Sequence, residues 1–169
     1  MKPGDALLVL EMESLGKAYE VIQGLANAVE AVEMIPGATG AVVMIAGNET
    51  ALKGLQGHAG ITRQRLVPSL SEAVVQAYLG LENPPLDGNF FCFESPDLGE
   101  VFEVADTLAQ KGFAPFDLRI LRGGPWKAYV LATGRGGTES LAGFPWLVRL
   151  THIPSPSASL RDYFSLKPH

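Results

Sequence analysis

Leu15-Gly16-Lys17-Ala18-Tyr19-Glu20-Val21-Ile22-Gln23-Gly24-Leu25-Ala26 returns 83 residues later as Leu98-Gly99-Glu100-Val101-Phe102-Glu103-Val104-Ala105-Asp106-Thr107-Leu108-Ala109, with no gap between the copies. Identities fall at Leu15/Leu98, Gly16/Gly99, Glu20/Glu103, Val21/Val104, Leu25/Leu108 and Ala26/Ala109, while Tyr19/Phe102 exchanges one aromatic ring for another. Internal repetition of this period decides whether the chain is one domain or two, so it is read before anything else.

Outward from that stretch the correspondence continues. The same offset pairs Leu8-Val9-Leu10-Glu11 with Phe91-Cys92-Phe93-Glu94, so that Glu11 and Glu94 coincide. An offset of 87 pairs Ala41 to Gly47 with Ala128 to Gly134, and one of 86 pairs Val67-Pro68-Ser69 with Ile153-Pro154-Ser155. Blocks kept in order and separated by small insertions are what duplication leaves behind. The 169 residues are therefore expected to form two domains, 1–82 and 90–169. The linker 83–89 carries Pro84, Pro85 and Gly88, which oppose regular structure.

Each half has the same pattern. An apolar strand (Ala6 to Met12; Asn89 to Ser95) leads into a helix (Leu15 to Ala28; Leu98 to Lys111) preceded by Ser14 or Asp97, both good N-cap types. In the first helix Leu15, Ala18, Tyr19, Ile22, Leu25 and Ala26 recur at three- and four-residue spacing, an apolar stripe to lay on a sheet. Two strands follow (Ala31 to Ile35 and Gly40 to Ala46; Phe116 to Leu121 and Lys127 to Thr133), then a short helix (Glu49 to Leu55; Thr138 to Leu141). A last strand (Arg63 to Val67; Trp146 to Ile153) and an amphipathic tail helix (Ser71 to Leu81; Ser157 to Leu166) close each half. The order βαββαβ plus a tail helix predicts an α+β chain of two tandem ferredoxin-like repeats. The sheet face away from the main helices then needs a cover: the partner repeat, a tail helix or another subunit.

Composition narrows the function. A formal net charge of −5 opposes general nucleic-acid binding, which needs a basic face to displace counterions. Arg119, Arg122, Lys127 and Arg135 cluster locally; they read as a solvated loop or as a meeting point for a small anion. No stretch approaches the ~18 apolar residues of a membrane span, and the short apolar run after Met1 lacks the form of an export signal. A cytoplasmic protein is expected. With a single cysteine there is no intrachain disulfide, and Cys92, inside Phe90-Phe91-Cys92-Phe93, reads as a small strand residue.

The repeat resembles the bacterial microcompartment shell domain in its tandem form. The resemblance covers nearly the whole chain and rests on four blocks. Leu8-Val9-Leu10-Glu11 is similar to a strand ending in Glu, and Glu103-Val104-Ala105-Asp106 to a helix carrying Glu-Ala-Ala-Asp. The turns Ala46-Gly47-Asn48 and Thr133-Gly134 are similar to a Gly-Asp turn, and Ile153-Pro154-Ser155-Pro156 to an Ile-Pro-Arg-Pro-His ending. The resemblance implies a homotrimer that mimics a hexagon, sits in a shell with other shell proteins, and passes small metabolites through an axial pore.

The family's pore loops correspond to Pro36, Gly37, Ala38, Thr39 and Gly40 and to Arg122, Gly123, Gly124, Pro125, Trp126 and Lys127. Glycine suits backbones that converge on an axis, although ordinary glycine turns between strands read the same way. Arg122 and Lys127 would make the wall cationic and favour anionic metabolites. Some tandem members hold an iron–sulfur cluster through a pore cysteine; neither loop has one, so no cofactor is expected. The chain departs from the family at the edge lysine, where Asn27 and Gln110 stand and Lys111 is one place off. It departs again at Ser155 and Ser157, where Arg and His are commoner, and in its truncated second short helix.

No catalytic constellation is legible. His58, His152 and His169 lack metal-type spacing, and Gly134-Arg135-Gly136-Gly137 lacks the Gly-Lys-Ser/Thr ending of a phosphate loop. Glu11 and Glu94 invite an acid–base reading, but duplication copies structural residues equally, and a hydrogen-bonding role at the strand–helix junction is the simpler expectation. Trp126 and Trp146 read as loop and core aromatics. The alternative to the shell is a tandem ferredoxin-like regulatory module that binds a small effector at a subunit interface.

Overall fold

A computed structural model of the chain describes residues 1–25, 29–37, 39–81, 86–121, 127–141 and 149–165. In chain order the elements are β1 (Ala6–Met12), α1 (Leu15–Gln23), β2 (Val29–Pro36), β3 (Ala41–Gly47), α2 (Glu49–Lys53), β4 (Ile61–Val67) and α3 (Glu72–Leu79). They continue as β5 (Asn89–Ser95), α4 (Leu98–Gln110), β6 (Ala114–Leu121), β7 (Lys127–Gly134), a 3-10 turn at Thr138–Leu141, β8 (Arg149–Ile153) and α5 (Ala158–Ser165). The strands form two antiparallel four-stranded sheets, ordered β2-β3-β1-β4 and β6-β7-β5-β8. The predicted α+β architecture of two ferredoxin-like repeats is therefore what the chain adopts.

The cross-strand registers account for the shifting offset. Ala6 faces Gly47 as Asn89 faces Gly134, and Leu7 faces Val67 as Phe90 faces Ile153. Along the edge strand Ala31 faces Ala46 and Ala114 faces Thr133. β6 then bulges between Pro115 and Asp117, adding one residue where β2 has none. The remaining extra residues lie between Leu121 and Lys127, the connection that answers to the short one after Pro36. A bulge and a longer loop both lengthen a strand pair without turning any later side chain to the wrong face.

The first unit contains Met1–Leu70, and the second contains Ser71–Leu121 and the described residues from Lys127 onward. In the first, Leu8, Leu10, Val43 and Ile45 face α1 and α2 and bury with Ala18, Val21 and Leu52. Ser14 caps α1 as its sequence predicts, accepting the Lys17 N–H at 3.2 Å. The alternate side chains Leu7, Val9, Val42 and Met44 are also buried, which is why β1 and β3 read as unbroken apolar runs. In the second unit Asp97 caps α4 through the Glu100 N–H at 3.1 Å. The Glu100 carboxylate in turn accepts the Ser95 hydroxyl, so a charge at the start of a mostly apolar helix is buried with a donor.

The two tail helices have different destinations. α3, expected to close the first repeat, lies in the second unit, against β6 and α4. Tyr78 stacks obliquely on Phe102 with ring centroids 5.4 Å apart, and the Ser71 N–H at the start of α3 donates to Asp106 on α4. Repetition and compactness therefore divide the chain at different places, and they differ by this helix. α5 instead covers the far face of its own sheet: Phe164 packs on Phe90 (5.6 Å) and Phe116 (5.4 Å), beside Leu86 and Leu131. Of the covers the sequence allowed for that face, a tail helix is the one used in the second unit. Among the described residues no helix is long and apolar enough to cross a bilayer.

Candidate functional site

Both candidate pore segments are hairpin connections, β2 to β3 and β6 to β7. Each lies at the sheet end where the first strand of its repeat finishes, because Ala41 pairs with Met12 and Ala128 with Ser95. In the first, the Gly37 N–H donates to the Gly40 carbonyl at 2.8 Å and closes the loop. Pro36, Gly37 and Thr39 are exposed there. Ala38 lies outside the described residues, as do Arg122, Gly123, Gly124, Pro125 and Trp126 of the second loop. The Lys127 backbone opens β7 opposite Leu121.

Gly40 has a local cause. A β-carbon there would run into the carbonyl oxygen of Met12 on the neighbouring strand, so the close approach of two backbones within one chain already demands glycine. Gly134 is constrained similarly, since a β-carbon would enter the ring of Phe113. Convergence on a symmetry axis is not needed to explain the glycine at position 40.

The duplicated carboxylates occupy the same end of each sheet. Glu11 lies directly across from Arg63 on β4, with 3.7 Å between carboxylate and guanidinium; Glu94 lies across from Arg149 on β8 at 3.8 Å. Each therefore makes a cross-strand ion pair. Partly exposed pairs of this kind contribute about 0.2–1 kcal/mol, too little to hold a sheet that buried side chains already hold. The arginines went unnoticed in the sequence, yet the 86-residue offset at β4 and β8 superposes Arg63 on Arg149. A charge kept at both copies was the available signal.

Electrostatics elsewhere is local too. Arg119, grouped in the sequence with other cations, is engaged by the buried Asp117 at 2.6 Å. The Tyr129 hydroxyl donates to the same carboxylate at 3.4 Å. Burial, then the Asp117 charge, pushes the Tyr129 phenol up to about 12. Burial, then Glu94, pushes the Cys92 thiol up to about 11, so it stays protonated and is a poor nucleophile near neutrality.

His58 is exposed at a shallow depression formed with Ile61 to Gln64, whereas the His152 ring stacks on Phe91 at 4.7 Å. His169 and Trp146 lie outside the described residues. Among the described residues no three His, Cys, Asp or Glu side chains are grouped to hold a metal ion.

The family's edge-lysine position is occupied differently. Gln110 donates to the Asp106 carboxylate at 2.7 Å, and Lys111 donates to the Ser140 carbonyl at 3.1 Å. Asn27 lies outside the described residues. At the ending, Ser157 accepts the Leu160 N–H at 3.4 Å, and so has an N-cap contact at the start of α5 where the family more often has His.

Against solved structures, the two-sheet arrangement superposes on a microcompartments protein from Desulfitobacterium hafniense DCB with a TM-score of 0.73. The match covers 94% of this chain and 99% of that one, at 22% sequence identity. The two proteins share a fold. Because the match spans nearly all of both chains, the likeness takes in both repeats and not a single ferredoxin-like unit. A glycine cleavage system transcriptional repressor (TM-score 0.31, 16% identity, 89% of this chain and 98% of that one) superposes too poorly to carry an argument. The same holds for an unknown protein from Galdieria sulphuraria (0.28, 14%, 90% and 98%). No protein-family model and no curated protein sequence matches the chain.

Proposed function

We propose that this chain is a non-enzymatic structural protein of a bacterial microcompartment shell, and that it assembles as a trimer in which six repeats mimic a hexagon. The observation that carries the reading is the common fold over both repeats with a microcompartments protein, reached independently of the four sequence blocks that point the same way. In this reading the β2–β3 and β6–β7 loops of three chains surround a central opening for small metabolites. Their position supports it: both connections occupy the same end of their respective sheets, so a ring of repeats would bring all six together. The chain would then reside in the cytoplasm as part of a shell, beside other shell proteins.

The test is the mass in solution by light scattering after size exclusion at two protein concentrations. Three chains of 18.0 kDa give about 54 kDa, the expected result. A monomer or dimer at both concentrations would overturn the trimer and return the question to an effector-binding module.

A further inference from the structure

The depression beside His58 carries chemistry that the shell reading leaves unused. The loop between α2 and β4 folds back on the edge strand β4, and Gly57, His58, Ile61, Thr62, Arg63 and Gln64 together bound a space of about 380 Å³. Its loop is held in place. The Gly57 N–H donates to the Gln64 side-chain oxygen at 3.1 Å, the Glu13 N–H donates to the Gly60 carbonyl at 2.9 Å, and the Ile61 N–H donates to the His58 carbonyl at 3.4 Å. Gly60 has φ +85°, and a β-carbon there would enter the Lys17 side chain, so the turn that carries His58 is built for glycine.

The lining presents donors. With its oxygen engaged by Gly57, Gln64 keeps its NH2 group as a donor that has no partner among the described residues. The exposed His58 ring adds an imidazole. Arg63 contributes a guanidinium whose side chain is 48% exposed, although Glu11 on β1 stands 3.7 Å away. No carboxylate belongs to the lining, in a chain of net charge −5. The duplication supplies the control. At the 86-residue offset Arg63 matches Arg149, but His58, Thr62 and Gln64 match Phe144, Val148 and Leu150. An arginine that served only the cross-strand pair would need no polar neighbours, as Arg149 shows; the donors around Arg63 are particular to the first repeat. We propose that this depression is a seat for a small oxyanion, the phosphate or carboxylate group of a metabolite, held by the Arg63 guanidinium, the Gln64 amide and the His58 imidazole. A guanidinium meets such groups with two parallel N–H bonds, and bonds between charged partners are the stronger kind. Met12 pairs with Ala41 on one side and Ile61 on the other, so the seat lies at the same end of the first sheet as the β2–β3 connection, three strand spacings or about 14 Å away. Anions gathered there would stand close to the proposed opening; that consequence rests on the trimer reading, whereas the binding itself does not.

The test is NMR of the full chain, titrated at fixed pH and ionic strength with inorganic phosphate and, separately, with acetate. Saturable shifts of the His58 ring and Gln64 side-chain amide signals are expected with at least one of them, while the His152 ring, stacked on Phe91, stays unmoved. Which anion saturates identifies the group recognised. Gln64→Glu keeps an oxygen for the Gly57 N–H but replaces the donor with a negative charge, so it should leave the fold intact and weaken binding at least about tenfold. His58→Phe, which installs the residue of the second repeat, should weaken it by a smaller factor. Should a variant misfold, the wild-type shifts decide alone. Shifts that rise without saturating for both anions, saturable shifts that leave His58 and Gln64 unmoved, or a folded Gln64→Glu variant that binds as tightly as the wild type would each overturn the seat, whatever the mass of the particle in solution.

Discussion

Cys92 and Tyr129 point to the same face of the second sheet, and both hold their protons more tightly than in water, the thiol rising from its ordinary 9 to about 11 and the phenol from 10 to about 12. Burial is the main cause in each, because a half-covered thiolate or phenolate loses hydration it cannot replace. Above pH 9 the unfolded chain releases protons that the folded chain keeps, so unfolding gains ground as pH rises. The contribution is whole below the ordinary values and is lost as pH climbs through the folded ones. Urea midpoints measured from about pH 8 to about pH 11 should therefore fall, and fall less steeply in Cys92→Ala. A flat profile would contradict the burial of both groups. The covered Cys92 was legible in its apolar run; the Glu11–Arg63 and Glu94–Arg149 pairs were not, because the partner of a strand residue is set by a register that closes over about fifty residues of chain.

Helix ends were legible for a different reason. Ser14 and Asp97 act within three residues, and both caps form as their types predict. The tail helices show where that legibility stops: an apolar face says that a helix must be buried, not against which sheet. α3 goes to β6 and α4, and α5 to the far face of its own sheet, although their sequences align without a gap. The difference lies in what each finds, since Phe90, Phe116 and Leu131 offer α5 an apolar floor. Phe164 supplies most of that contact, so Phe164→Ala should cost about 3 kcal/mol, the usual penalty for emptying an aromatic site. Chemical denaturation with the slope unchanged would measure it. A loss below about 1 kcal/mol would mean that α5 is not docked in solution.

At the scale of the whole molecule, duplication made the fold readable, because each weak block was matched by a second copy in the same order, at an offset that drifts only from 83 to 87. The proposed opening was less readable. Its loops are short and glycine-rich, Gly40 is already required by Met12, and an axis shared by several chains leaves no signature within one. The outer edge is where assembly and sequence part. A hexagonal tile that meets its neighbours through a lysine needs that side chain free. Here Gln110 holds the carboxylate that also receives the Ser71 N–H, and the nearby Lys111 donates to Ser140. Both groups bind within the second unit. If the proposed trimer forms, purified protein should stay as discrete particles under electron microscopy, and should enter flat arrays only when a different partner supplies the edge. Gln110→Lys leaves Asp106 a cationic partner, so it should preserve the anchoring of α3 while adding a charge at the rim. Arrays formed by the unaltered chain alone would show that tiling does not depend on this lysine, and would move the determinant of the edge to another surface.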